Sequence, residues 1–178
     1  MNCWKSISIE KEFGRERLLF MSLIMMLSYF IIHFVFFRTF ISNVPFVDFG
    51  LPLLFFILSI IPVHILLHCL PIWAFGKKAT ISIREQWPYC NFSTKQAISK
   101  QLLIVSIAFP LVVITLVTII ISVMMPQWMH VMAIVAAINM GLSVYDLLYL
   151  KQLIHAPKSC VIEEYENGYN ILYKGVRP

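Results

Sequence analysis

The stretch Ile60-Ile-Pro62-Val-His64-Ile65-Leu-Leu-His68-Cys69-Leu-Pro71 places two imidazoles inside an otherwise apolar run. That run extends over residues 51–75. A spanning helix needs about 20 mainly apolar residues, so the run is long enough to cross a bilayer. His64 and His68 are four apart, which puts both rings on one helical face, one turn above the other. Two imidazoles at that spacing can approach one metal ion from the same side.

Three further runs of the same kind flank this one, over residues 18–37, 102–125 and 128–150. Hydrophobic residues make up 60% of the 178, and charged residues only 13%. A soluble domain carries roughly 45–50% apolar and about 25% charged residues, so many apolar side chains here must face lipid. The expected fold class is therefore all-α: a polytopic membrane protein with four transmembrane helices. The length suits one membrane domain over residues 1–178, with a loop at 76–101 and a tail at 151–178. No small-residue cleavage site follows the first run, which is expected to stay in place as a helix.

The net charge of +5 has a topological explanation. Every Lys and Arg except Arg38 falls in the N-terminal segment, the 76–101 loop or the tail. Cytoplasmic segments carry such an excess, and an even number of spans keeps both ends together. Both termini and the long loop are thus expected in the cytoplasm of a bacterial cell, and the partner is the lipid bilayer, with no nucleic acid. The four cysteines form no CxxC pair, so no zinc ribbon or structural disulfide is expected. In the tail, Asn167-Gly168 separates two β-prone segments and predicts a small cytoplasmic β-hairpin. Ser93 or Thr94 is expected to cap a short helix leading into the third span.

Ionisable groups inside a span are expensive and therefore informative. The fourth run contains Asn139-Met-Gly141-Leu-Ser143-Val-Tyr145-Asp146, and Asn139, Ser143 and Asp146 share one face. Ala133, Ala137 and Gly141 form a second stripe of small residues, suited to close helix approach. Counting back from the ends of the second and fourth runs at about 1.5 Å per residue, His68 and Asp146 lie within one turn of the same depth. The candidate metal ligands are His64, His68 and Asp146, with Asn139 and Ser143 behind them to orient the ligands. A metal-free hydrogen-bonded cluster uses the same residues and stays open as the alternative. His33 and His130 are read as interfacial residues, and His155 as a cap for the fourth helix. Pro62 and Pro110 are expected to kink their helices.

The residues His64-Ile-Leu-Leu-His68 with Cys-Leu-Pro71, Ile98-Ser-Lys100, Pro110, Asn139 to Asp146 and Ala156-Pro-Lys158 resemble a family of bacterial membrane proteins of unknown function, the zincin-peptidase-like family. That family is similar to intramembrane metalloproteases of the site-2 type, in which two histidines of a helical HExxH and a distant Asp hold zinc. The resemblance implies zinc at His64, His68 and Asp146. It also implies a general-base Glu at the position of Ile65, which carries no ionisable group. The expected protein is a metal-binding relative of intramembrane zinc proteases with impaired catalysis and no assigned catalytic residue. Glu85, Glu163 and Glu164 are the carboxylates that could substitute. The alternative is a non-enzymatic membrane interaction or regulatory protein. A membrane-protein partner or substrate and a homo-oligomer both stay open.

Overall fold

The computed structural model describes residues 2–41, 44–47, 50–83, 90–93, 96–157, 160–165 and 168–173. Four long helices carry the chain: α2 (Arg15–Phe40), α3 (Leu51–Ala74), α4 (Lys100–Met124) and α5 (Met129–His155). A short α1 (Ile9–Phe13) precedes them. Each of the four is long and apolar enough to cross a membrane. Large apolar side chains such as Phe20, Leu27, Ile32, Phe55, Leu58 and Val123 lie exposed along them. Such surface suits lipid, because hydrocarbon asks nothing polar of a side chain and every backbone group is satisfied within the helix.

The chain divides into two compact units. The first comprises residues 1–18, 65–109 and 145–178. It holds a four-stranded antiparallel sheet, made of β1 (Asn2–Ile7), β4 (Ile98–Ser99), β5 (Cys160–Tyr165) and β6 (Gly168–Tyr173), in the order β1-β6-β5-β4. The predicted tail hairpin is β5–β6, with Tyr165 opposite Gly168. Its Asn167 turn position lies outside the described residues, as do Thr94 and Glu85. Gly168 permits the pairing with β1. A side-chain carbon there would fall 1.8 Å from the Ile7 carbonyl oxygen. Ile9, Leu18, Ile72, Leu153, Ile162 and Ile171 fill the core of this unit.

Two elements of the first unit differ from expectation. Residues 90–93 form β3, paired with β2 (Thr80–Ile83), where a helix cap was expected. The α4 start is instead served by Ser99, whose hydroxyl accepts the Leu102 N–H. Lys100 donates to the Ile154 and Ala156 carbonyls, satisfying the end of α5. His155 also caps that end, through Nδ1 and the Lys151 carbonyl at 2.7 Å. At the end of α3, Gly76 takes φ +70 and donates to Trp73, while Lys77 donates to Ile72. This is the pair of bonds that closes a helix through a left-handed residue, where glycine carries no steric penalty.

The second unit comprises residues 19–64 and 110–144. A single 3₁₀ turn, Pro126–Trp128, joins α4 to α5 and makes them antiparallel neighbours. Ala133, Ala137 and Gly141 are buried as the small-residue stripe requires. Gly141 is the tight point, since a side-chain carbon there would lie 3.3 Å from Met26 Cβ and from the Ser22 carbonyl oxygen. His33 and His130 are each 4% exposed, so both point into protein rather than toward an interface. His33 Nε2 meets the Ser122 hydroxyl at 3.1 Å, and the His130 ring packs against Phe46, either of which costs less than entering hydrocarbon.

Candidate metal centre

The site is built from three helices. α3 contributes His64 and His68, α4 contributes Ser106, and α5 contributes Asn139, Ser143 and Asp146. His68, Ser106 and Asp146 belong to the first unit. His64 and Asn139 belong to the second, with His64 one turn before His68 on the unbroken α3.

Each imidazole is held through the same nitrogen. His64 Nδ1 lies 2.9 Å from Asn139 Oδ1. His68 Nδ1 lies 2.9 Å from the Ser106 carbonyl oxygen. A carbonyl oxygen only accepts, so the hydrogen sits on Nδ1 and a neutral ring presents its lone pair at Nε2. His68 Nε2 in turn lies 3.5 Å from Asp146 Oδ1. One ligand atom from each of His64, His68 and Asp146 lies within 4.8 Å of the others. Among the described residues no other group of three such donors comes together.

The donor set fits a divalent zinc ion. Two donors about 2.1 Å from a tetrahedral ion stand about 3.4 Å apart, close to the His68–Asp146 separation. Metal-bound histidines almost always donate their second ring N–H to an oxygen that fixes ring orientation. Here Asn139 Oδ1 and the Ser106 carbonyl oxygen lie against the two Nδ1 atoms. His64 and His68 are each only 5% exposed, and Asp146 is partly buried. Asn139 and Ser143 are fully buried, and Asn139 Nδ2 and Ser143 Oγ have no hydrogen-bond partner among the described residues. Buried polar atoms are normally paired, so two such atoms on the face that bears Asp146 suit a place that takes up something the chain does not provide.

Ile65, next to His64, is buried and brings no ionisable group. Glu163 is exposed on β5, opposite Asn170. Glu164 is half-buried, opposite Tyr169. Neither belongs to the three-residue group. Tyr169 was not legible in the sequence as a neighbour of this site. Its ring meets Tyr149 edge-on at 5.2 Å between centroids. Burial pushes its phenol well above the ordinary value, and Tyr149, Glu164 and Asp146 push it the same way. It therefore keeps its proton throughout the physiological range.

Ser106 was also missed. Its hydroxyl donates to the His68 carbonyl oxygen while its own carbonyl receives His68 Nδ1–H, so one residue grips His68 twice.

A family model described as "Putative zincin peptidase" matches residues 57–161, which contain every member of the cluster. No curated protein and no solved structure matches the chain.

Proposed function

We propose, since the chain belongs to the zincin-peptidase family, that it is a membrane-embedded zinc-binding protein with impaired peptide hydrolysis. The observation that carries the reading is the shared ring orientation. Both histidines set Nδ1 against an oxygen, His68 Nε2 lies beside Asp146, and one ligand atom from each of the three residues falls in a common group. Two neutral imidazoles and a carboxylate are a donor set that suits zinc. His64, His68 and Asp146 would hold the ion. When bound there it would supply Lewis-acid polarisation of a carbonyl group.

The chain's own residues limit the chemistry available at that centre. In HExxH the residue after the first histidine moves a proton, and a positioned acid–base group contributes about 10²–10⁴-fold. Ile65 cannot take that part. Asp146 is committed to the cluster, and the nearby Tyr169 phenol stays neutral. Peptide bonds are accordingly cleaved slowly if at all.

The cytoplasmic placement of both termini belongs to the same proposal. Its support is that one sheet joins residues 2–7, 98–99, 160–165 and 168–173, as segments on a common side of a bilayer would allow. The Lys and Arg excess lies in residues 5–17, 77–100 and 151–177, stretches that overlap or contain those strands.

A second reading, a metal-free interaction or regulatory protein, draws on the His68–Asp146 distance of 3.5 Å. That distance also suits a protonated imidazole paired with a carboxylate. Elemental analysis of the full chain, purified in detergent without chelator, separates the two. One zinc per chain, lost in His68→Ala, supports the first reading; metal-free wild type overturns it.

A further inference from the structure

The Ser106 carbonyl is able to hold His68 because of the residue four positions later. In an α-helix each carbonyl accepts the N–H of the residue four ahead. For Ser106 that residue is Pro110, which lies inside α4 and has no N–H. The proline ring also presses against the carbonyl four residues before it and tips it off the helix axis. Pro110 is buried, and Ser106 is fully buried. The freed acceptor therefore sits where water does not compete for it, and an unpaired carbonyl there is costly. His68 Nδ1–H meets it at 2.9 Å.

We propose that Pro110 is a positioning residue for the metal centre. By withholding a helix N–H, it gives His68 a fixed acceptor at Nδ1 and so decides that Nε2 faces Asp146. The inference rests on the zinc reading for its functional meaning, but the ring tautomer it predicts exists with or without metal. Pro62 offers a contrast within these helices. Pro62 in α3 frees the carbonyl of Leu58, and both Pro62 and Leu58 lie exposed along the helix.

The test uses full-length protein with ¹⁵N-labelled histidine, stripped of metal, in detergent or bilayers. His68 is assigned by its disappearance in His68→Gln. Wild type is expected to show His68 as the Nδ1–H tautomer. Pro110→Ala restores a helix N–H that competes for the Ser106 carbonyl. It should move His68 toward the Nε2–H tautomer and weaken zinc binding about 10–100-fold, the usual effect of losing a group that orients a ligand. Its thermal stability should hold or rise, because α4 gains a hydrogen bond. Pro62→Ala should keep the wild-type tautomer. So should Ser106→Ala, which removes the hydroxyl grip but leaves the carbonyl and Pro110 in place.

An unchanged tautomer and unchanged zinc affinity in Pro110→Ala would overturn the proposal. If that variant does not fold, dipolar coupling between His68 Nδ1 and a ¹³C-labelled Ser106 carbonyl in wild type decides instead; its absence would contradict the proposal. Failure of wild type to bind zinc would remove the zinc reading alone, since the tautomer result stands separately.

Discussion

Two buried histidines in this molecule have opposite chemistry. His68 and His33 are equally hidden, at 5% and 4% exposure, and each contacts a serine of α4. His68 uses Nδ1 against the Ser106 carbonyl and leaves Nε2 beside Asp146. His33 uses Nε2, 3.1 Å from the Ser122 hydroxyl, and that hydroxyl donates to the Thr118 carbonyl. The Ser122 oxygen must therefore accept, which puts the hydrogen of His33 on Nε2. Its other near neighbours are the rings of Tyr29 and Phe37, and no carboxylate joins it in a ligand group among the described residues. Burial of an imidazole in a membrane helix is thus a packing fact. A candidate metal site requires a carboxylate and an oxygen that turns the right nitrogen toward it.

The contrast can be broken most severely by removing ligands. His68→Ala or Asp146→Ala should lower zinc content to background, whereas His33→Ala should leave it at the wild-type level. Equal loss in His33→Ala would dissolve the distinction.

The next largest effect concerns catalysis. Ile65→Glu should raise peptidase activity on unfolded protein substrates by about 10²–10⁴-fold if the remaining geometry suits hydrolysis. Zinc binding without any such gain would restrict the centre to a binding role.

The groups behind the rings give a smaller and sharper comparison. Asn139→Ala takes the acceptor from His64 and should weaken zinc binding about 10–100-fold. Ser122→Ala takes the partner from His33. It should leave zinc affinity unchanged and lower stability by about 1 kcal/mol, read by thermal denaturation.

The helices and the coming together of His64, His68 and Asp146 were legible because each rests on spacing along the helices. An apolar run of spanning length has one stable form in lipid, and the i, i+4 pair fixes His64 and His68 on one face whatever surrounds them. Asp146 followed from counting depth along two helices. The sheet was only partly legible. Asn167-Gly168 marked the β5–β6 hairpin, but β1 pairs with β6 across almost the whole chain, as in Ser6 opposite Asn170. Nothing in Asn2–Ile7 advertises a partner that distant. The same holds for β4, two residues long, which pairs with Val161 and Ile162. Ser106 went unseen because its main-chain oxygen does half of the holding, and a main-chain atom has no letter in the sequence. Its one signal was Pro110, four residues on.

The central claim is that two imidazole Nε2 atoms and the Asp146 carboxylate share one ion. X-ray absorption at the zinc edge of the purified full chain addresses it directly. The account predicts two imidazole nitrogens with oxygen donors, all at about 2.0–2.2 Å, and loss of one imidazole contribution in His64→Ala. A zinc shell containing sulfur, or one unchanged by His64→Ala, would contradict it.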